Sequence, residues 1–149
     1  MYKHILVPTD GSPLSLKAAK EASALAKTMK AKITTVYVSP LFYPRIGSET
    51  MRPRHMQALQ EAHRKSSEAA AEVALGKVGA TAAASKVPCE KVHASDERPW
   101  EVIIKAAKAR KCDLIVMASH GRKGLAGVLI GSETAKVLTH SKTPVLVCR

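Results

Sequence analysis

Two glycine-bearing segments of the chain contain residues that could bind either a phosphate group or a ribose. In "ASHGRKGLAGVLIGSET" (residues 118–134), Gly121 would let the backbone approach a phosphate without a Cβ in the way. Gly131 stands at the start of a helical pattern, where free N–H groups and the helix dipole favour an anion. Further side chains of the segment could add charge or a hydroxyl group: Arg122, Lys123, Ser132 and Thr134.

The second segment is "PTDGS" (residues 8–12), which follows a short apolar run typical of a buried strand. Asp10 at a strand end can accept hydrogen bonds from ribose hydroxyls. Alternatively, Asp10 caps the first helix or its turn, and Gly121 alone is more often a turn glycine than a ligand contact. We expect His120 to be a solvated or hydrogen-bonded loop histidine rather than a catalytic base, and we assign no catalytic residue.

Several familiar motifs are absent from the sequence. Without G-x-x-x-x-G-K-S/T the chain is not a P-loop NTPase, and no G-x-G-x-x-G follows the first strand. The sequence also lacks the G-x-S-x-G nucleophile elbow, so it gives no support for a hydrolase of that type. Asp10 has no second carboxylate nearby in the sequence with which it could form a general acid–base pair. The cysteines, Cys89, Cys112 and Cys148, are scattered and odd in number, which argues against disulfides and against a metal site.

Strand and helix patterns alternate along the chain. Ser12 followed by Pro13 is typical of a helix start, and Pro88 places the weakest strand at a sheet edge. The second helix is expected to end near Leu75, closed by Gly76 and Gly79. The predicted strands cover residues 4–10, 32–39, 85–94, 112–119 and 143–148, and the predicted helices cover about 13–29, 53–75, 99–111 and 131–140.

This order predicts an α/β fold of one domain over residues 1–149, with a doubly wound, mainly parallel sheet covered by helices on both faces. Such sheets bind ligands outside the carboxyl ends of the strands, where the strand order reverses. The first and fourth strands are the most convincing and are expected to be neighbours there. Asp10 and the 118–134 segment would then face one crevice.

Composition favours anionic partners without choosing among them. Lys and Arg number 24 against 12 Asp and Glu, a net charge of +12. The basic residues are dispersed along the chain and aromatic residues make up only 3%, so we do not expect nucleic acid as a partner. No apolar run is long enough for a membrane span, and the first apolar run is too short for a secretory signal, so we expect a cytoplasmic protein.

The sequence resembles the universal stress protein family over nearly its whole length. The resemblance is carried by "ILVPTDGS", "CDLIVMASHGR" and "LIGSETAKVLTHSKTPVLV". Nucleotide-binding members of that family carry G-x2-G-x9-G-S/T. Gly121, Gly131 and Ser132 fit the second half of this pattern, whereas Ala118 replaces its first glycine.

The resemblance implies a Rossmann-like sheet in the order 3-2-1-4-5, bound ATP with or without Mg²⁺, and a homodimer joined through residues 143–148. Pro8, Thr9 and Asp10 would flank the nucleoside, with Asp10 on the ribose, and Val38 would meet the adenine. The residues of the phosphate segment would be Ala118, His120, Gly121, Arg122, Gly131, Ser132 and Thr134.

Ala118 is the departure that bears on binding. If this position requires a positive φ, alanine costs on the order of 1 kcal/mol, or roughly a fivefold loss of affinity. If it requires only a small side chain, the methyl group costs little. We therefore expect ATP binding to be retained.

Three functions are compatible with these patterns. The leading hypothesis is an ATP-binding, homodimeric stress-response module, with the long loop after the second strand closing over the ligand. A second is slow ATP hydrolysis or autophosphorylation, with Ser132 and Thr134 as candidate acceptors. A third is an interaction protein that binds no nucleotide and contacts anionic partners through its charge.

Overall fold

The computed structural model describes residues 1–44, 51–121 and 130–149. Its centre is a five-stranded parallel sheet in the order β3-β2-β1-β4-β5, as predicted. The strands are β1 (His4–Pro8), β2 (Lys32–Ser39), β3 (Cys89–Ser95), β4 (Leu114–Ala118) and β5 (Val145–Cys148). Strands β1, β3, β4 and β5 are shorter than the sequence patterns predicted, and β2 has its predicted bounds.

The middle of the sheet is formed by the two most apolar strands. Every residue of β1 and β4 is buried, which accounts for their continuous apolar sequence. Ile5 pairs with Leu114 and Leu6 pairs with Ile115, so the two strands are direct neighbours, as expected. The strand order reverses between them, and their carboxyl ends therefore border the crevice that this topology creates.

In the described ranges, four helices connect the strands: α1 (Pro13–Met29), α2 (Pro53–Ala84), α3 (Pro99–Ala109) and α4 (Ser132–His140). Helix α1 begins as predicted, with Ser12 as its N-cap, whose side chain accepts a hydrogen bond from the Ser15 N–H at 3.2 Å. Pro13 then occupies the first turn.

Helix α2 does not end near Leu75, and the prediction that Gly76 and Gly79 close it is wrong. The helix continues to Ala84 because Val78 and Ala82 extend its buried stripe. Burying a valine contributes about 1.5–3 kcal/mol, which offsets a helix penalty of about 1 kcal/mol per glycine.

The helices cover both faces of the sheet. On one face, Ala22 of α1 and Val78 of α2 pack against Ile5 and Val116 in one apolar cluster. On the other face, α3 and α4 pack against Leu6 and Ile115 in a second cluster. Strand β3 lies at the sheet edge, as Pro88 predicted. In the described part of the chain, no helix is both long and apolar enough to cross a membrane.

Candidate functional site

The loops that follow β1 and β4 meet at the carboxyl edge of the sheet. A Cβ atom built on Gly121 would lie 2.5 Å from Asp10 Oδ2, a distance at which one of the two groups must move. With the Asp10 carboxylate in this position, residue 121 has no room for a Cβ atom. The structure therefore brings Asp10 and Gly121 together at the crevice.

The β1 loop is a hydrogen-bonded turn. Asp10 Oδ1 accepts a hydrogen bond from the Ser12 N–H at 2.9 Å, so the carboxylate braces the turn with one oxygen while the other faces Gly121. Gly11 has a left-handed φ of 79°, and its N–H donates to Thr9 Oγ1 at 3.1 Å. Asp10 is thus held by the turn in a fixed direction, toward the second loop.

Thr9 is a buried part of this turn. Its Oγ1 lies 3.0 Å from Ser15 Oγ, and its N–H donates to the Val36 carbonyl at 2.9 Å. Ser15 is also buried and donates its hydroxyl to the Ser12 carbonyl at 2.9 Å. Sequence reasoning missed Ser15, because a serine on a helical face carries no signal for the turn that it supports.

The two ends of the second loop are tied together. The Gly131 N–H donates to the Ser119 carbonyl at 2.7 Å, and Thr134 Oγ1 donates to the Ala118 carbonyl at 2.9 Å. A Cβ on Gly131 would lie 3.0 Å from His120 Cα, so the backbone there would have to shift. Helix α4 therefore begins in contact with the end of β4.

The first turn of α4 provides backbone donors at this edge. The N–H groups of a helix's first turn have no intrahelical acceptor, and Gly131, the N-cap residue of α4, has no side chain that could cap them. Ser132 is exposed. The Glu133 carboxylate accepts from the Trp100 N–H at 3.0 Å and binds Lys136 Nζ at 3.0 Å, so partners already compensate its negative charge. An anion at this helix end is favoured by the dipole.

Ala118 occupies ordinary strand backbone. It is the last residue of β4, pairs with Cys148 and is 8% exposed. Among the described residues other than glycine, a positive φ occurs at Lys30, Lys86 and Lys111. Alanine at position 118 therefore carries no backbone strain, and the alternative in which this position has a positive φ does not apply.

The other predicted site residues surround these loops. Pro8 is buried at the end of β1 and pairs with Val36. Val38, near the end of β2, is half-buried and packs in the apolar cluster on the α3 and α4 face. His120 Nδ1 lies 3.1 Å from Ser119 Oγ. Arg122 and Lys123 lie outside the described residues.

A second cleft adjoins this edge on the α2 side of β2 and β3, and it was not predicted. It has a volume of about 490 Å³ and is bordered by Phe42, His63 and His93. His63 Nε2 lies 3.1 Å from the Pro40 carbonyl oxygen, and its ring centroid lies 5.5 Å from that of Phe42. These contacts fix the start of the loop after β2 against α2, a pairing with no local signal in the sequence.

Comparison with known proteins identifies what this architecture is similar to. The model of the universal stress protein family matches residues 1–149. The universal stress protein MJ0531 of Methanocaldococcus jannaschii is 34% identical, and the alignment covers 100% of this chain and 83% of that protein. A relative from Thermus aquaticus, also named as a universal stress protein, is 30% identical over 100% of both chains.

Solved structures agree with this comparison. UspA from Lactobacillus plantarum has a TM-score of 0.74 and 27% identity, covering 99% of this chain and 98% of that one. A universal stress protein solved in complex with cAMP has a TM-score of 0.69 and 28% identity, covering 99% of this chain and 97% of that one. The fold and the match over its full length show that this chain belongs to the universal stress protein family.

Proposed function

We propose that this protein binds an adenine nucleotide, ATP in particular, in the crevice between β1 and β4 and acts as a homodimeric stress-response module. The observation that carries the proposal is the close approach of Gly121 to Asp10 beside the first turn of α4, which has no side-chain cap among the described residues. This arrangement joins a carboxylate suited to ribose hydroxyls with backbone donors suited to phosphate. The similar protein solved with cAMP supports the adenine nucleotide class.

Each part of the crevice has a separate role in this proposal. Asp10 accepts hydrogen bonds from the ribose, since its carboxylate is already oriented by the Ser12 N–H. Val38 contributes an apolar contact for the base. Gly131 and the first turn of α4 receive the phosphates, and a triphosphate commonly brings Mg²⁺, which would offset its charge.

Ala118 is compatible with this proposal. Its backbone is that of a strand, so replacing the first glycine of the motif adds one methyl group and no strain. We therefore expect ATP binding to survive this substitution. Ala118→Gly should leave the affinity within about twofold of the parent, because no strain is relieved.

Calorimetric titration tests the proposed site. Nucleotide-stripped protein is titrated with Mg-ATP, ADP, AMP and cAMP, alongside Gly131→Val, whose side chain would meet the His120 backbone. The matched control is Gly76→Ala, because no atom lies within 4 Å of a Cβ built at that glycine. Micromolar binding that is lost in Gly131→Val and kept in Gly76→Ala is the expected result. No binding by the parent to any of the four nucleotides would refute the proposal.

The proposed dimer uses the free edge of the sheet. Strand β5 is the last strand in the sheet order, and Leu146 on it is 44% exposed. Cys148 lies on the same strand, and burial raises the pKa of its thiol, which favours the protonated form. Light scattering of Leu146→Lys tests this interface: we expect a monomer, and an unchanged dimer would place the interface elsewhere.

The exposed Ser132 favours a second candidate function, slow autophosphorylation. The Ser132 side chain stands in the first turn of α4, where the phosphates are proposed to bind, whereas Thr134 is buried and donates its hydroxyl to the Ala118 carbonyl. Ser132 is therefore the acceptor to test. Incubation with γ-labelled ATP that labels the parent and not Ser132→Ala would support this activity, and an unlabelled parent would remove it.

A further inference from the structure

The amino edge of the sheet, opposite the crevice, carries a row of lysines. A lysine lies at most three residues before each strand, and all five of these side chains are exposed: Lys3, Lys30, Lys86, Lys111 and Lys142. Lys32, the first residue of β2, is exposed as well. These positions are far apart in sequence, and the parallel topology brings all of them to one edge.

Backbone contacts confirm that the strand starts are adjacent. The Lys32 N–H donates to the Lys3 carbonyl at 3.1 Å, and the Ile33 N–H donates to the Pro88 carbonyl at 2.8 Å. The Lys3 N–H donates to Asp113 Oδ2 at 2.8 Å, which joins the starts of β1 and β4. Because neighbouring strands lie about 4.8 Å apart, five strand starts span roughly 19 Å.

Three of these lysines have a left-handed backbone conformation, which is more favourable for glycine or asparagine than for lysine. Lys30, Lys86 and Lys111 have φ values of 54°, 58° and 54°, and each follows the end of a helix. Glycine or asparagine is preferred at such left-handed positions. A lysine at all three positions keeps a positive charge at the expense of backbone strain.

Negative charge on this edge does not cancel the row. The carboxylates described there are Glu90, which is paired with Arg110, and Asp113, which accepts the N–H groups of Lys3 and His4. The carboxyl ends of the helices also point toward this edge, but each contributes only about half of a negative charge. The lysines carry full charges and therefore outweigh them.

We propose that this lysine row is a docking surface for the phosphate backbone of duplex nucleic acid. A duplex carries about one negative charge per 1.7 Å of its axis, so a length of roughly 19 Å carries on the order of ten charges on its two strands. Its bases remain stacked, so backbone binding needs no aromatic platform. The sequence alone does not predict a nucleic-acid partner because its basic residues are dispersed along the chain. In the folded chain, the lysines before the strands lie along one edge of the sheet.

The proposal is tested by substituting the three left-handed lysines with asparagine, which accepts this backbone. Lys30→Asn/Lys86→Asn/Lys111→Asn is compared with Lys17→Gln/Lys20→Gln/Lys65→Gln, which removes the same net charge from exposed helix positions away from this edge. Binding of a labelled DNA duplex of arbitrary sequence is measured by fluorescence anisotropy over a series of salt concentrations. Denaturation of each variant is followed in parallel.

We expect the asparagine variant to lose on the order of tenfold or more in duplex affinity. The slope of log K against log salt is negative, and its magnitude should decrease by about one for each lysine removed. Its thermal stability should be unchanged or increased, since asparagine relieves the strain. The glutamine variant should keep most of the affinity.

Three results would overturn the proposal. Equal losses in the two variants would mean that net charge alone governs binding. An asparagine variant that binds duplex normally but unfolds more easily would show that these lysines stabilise the ends of the helices and do not bind the duplex. Binding to phosphatidylserine vesicles but not to duplex would assign the row to a membrane surface. Nucleotide titration of the asparagine variant should match the parent, so a failure at the crevice is distinguishable from a failure at this edge.

Discussion

The carboxyl and amino edges of the sheet use glycine and lysine in opposite ways. At the carboxyl edge, Gly121 and Gly131 do not have a positive φ, and what they provide is the space that a side chain would fill. At the amino edge, left-handed backbone positions that favour glycine are occupied by Lys30, Lys86 and Lys111. The carboxyl edge thus has room for close backbone approach at its glycines, whereas the amino edge has the positive charges of its lysines.

This difference separates two uses of one fold. A small ligand needs backbone donors and close approach, and the loops at the carboxyl edge supply both. A large polyanion needs exposed charge over an extended line, and the strand starts supply it. The two edges lie at opposite ends of the strands. Substitutions at one edge can therefore be tested for their effect on binding at the other.

The largest effect is expected from Gly121→Val. Its Cβ would lie 2.5 Å from Asp10 Oδ2, so the carboxylate must leave the position in which it is proposed to bind ribose. We expect a loss of nucleotide affinity on the order of a hundredfold, or about 2.7 kcal/mol, measured by calorimetry. Duplex binding should not change. Parent-like nucleotide affinity in this variant would show that Asp10 has no part in the site.

Thr134→Val should lower the stability of the carboxyl edge. The buried Thr134 hydroxyl donates to the Ala118 carbonyl at 2.9 Å, and valine leaves that carbonyl without this donor. We expect a loss of about 1–2 kcal/mol in the free energy of unfolding, measured by urea denaturation.

Thr139→Val is the matched control for this change. Thr139 Oγ1 donates to the Ala135 carbonyl at 2.8 Å in the same helix, but the site is exposed, so water can replace the bond. Equal losses of unfolding free energy in the two variants would show that the hydrogen bond from Thr134 to β4 stabilises the protein no more than the exposed one within α4.

Much of the fold and part of the site could be predicted from the sequence. The continuous apolar runs of β1 and β4 required a sheet buried on both faces, and a parallel sheet places their following loops side by side. The meeting of Asp10 with Gly121 follows from that topology. These features depend on patterns within single elements and on general rules of connection.

What could not be predicted depends on contacts between distant elements. Helix α2 continues past Gly76 because Val78 finds a buried position, which no helix propensity encodes. The hydrogen bond from Thr134 to Ala118 requires the loop ends to be close. The lysine row was hidden because its members are separated by dozens of residues and meet only when the strands align.

Thr35→Val tests the sheet between the two edges. Thr35 Oγ1 is buried, and within the described part of the chain no group is in position to form a hydrogen bond with it. Valine has nearly the same shape and no hydroxyl to desolvate, so we expect a gain of about 1 kcal/mol in unfolding free energy. Urea denaturation measures it. Neither nucleotide nor duplex binding should change, and a loss of stability would show that the hydroxyl has a partner.

The smallest effect is expected at the amino edge and depends on pH. His4 is buried with its Nε2 2.8 Å from Thr34 Oγ1, and burial, followed by the nearby charge of Lys32, lowers the pKa of His4 below its usual value near 6.5. The unfolded chain therefore binds this proton before the folded one does. The contribution of His4 to stability is complete above about pH 6.5 and is lost as the pH falls below it.

His4→Gln removes this titration and keeps a polar group beside Thr34. Urea midpoints measured at about pH 7.5 and about pH 5.5 should differ less in the variant than in the parent. His55→Gln, which removes a histidine at an exposed position of α2, is the matched control. An equal pH dependence in His4→Gln and the parent would assign the acid sensitivity to other groups. If the two edges are independent, nucleotide binding in His4→Gln will follow that of the parent at both pH values.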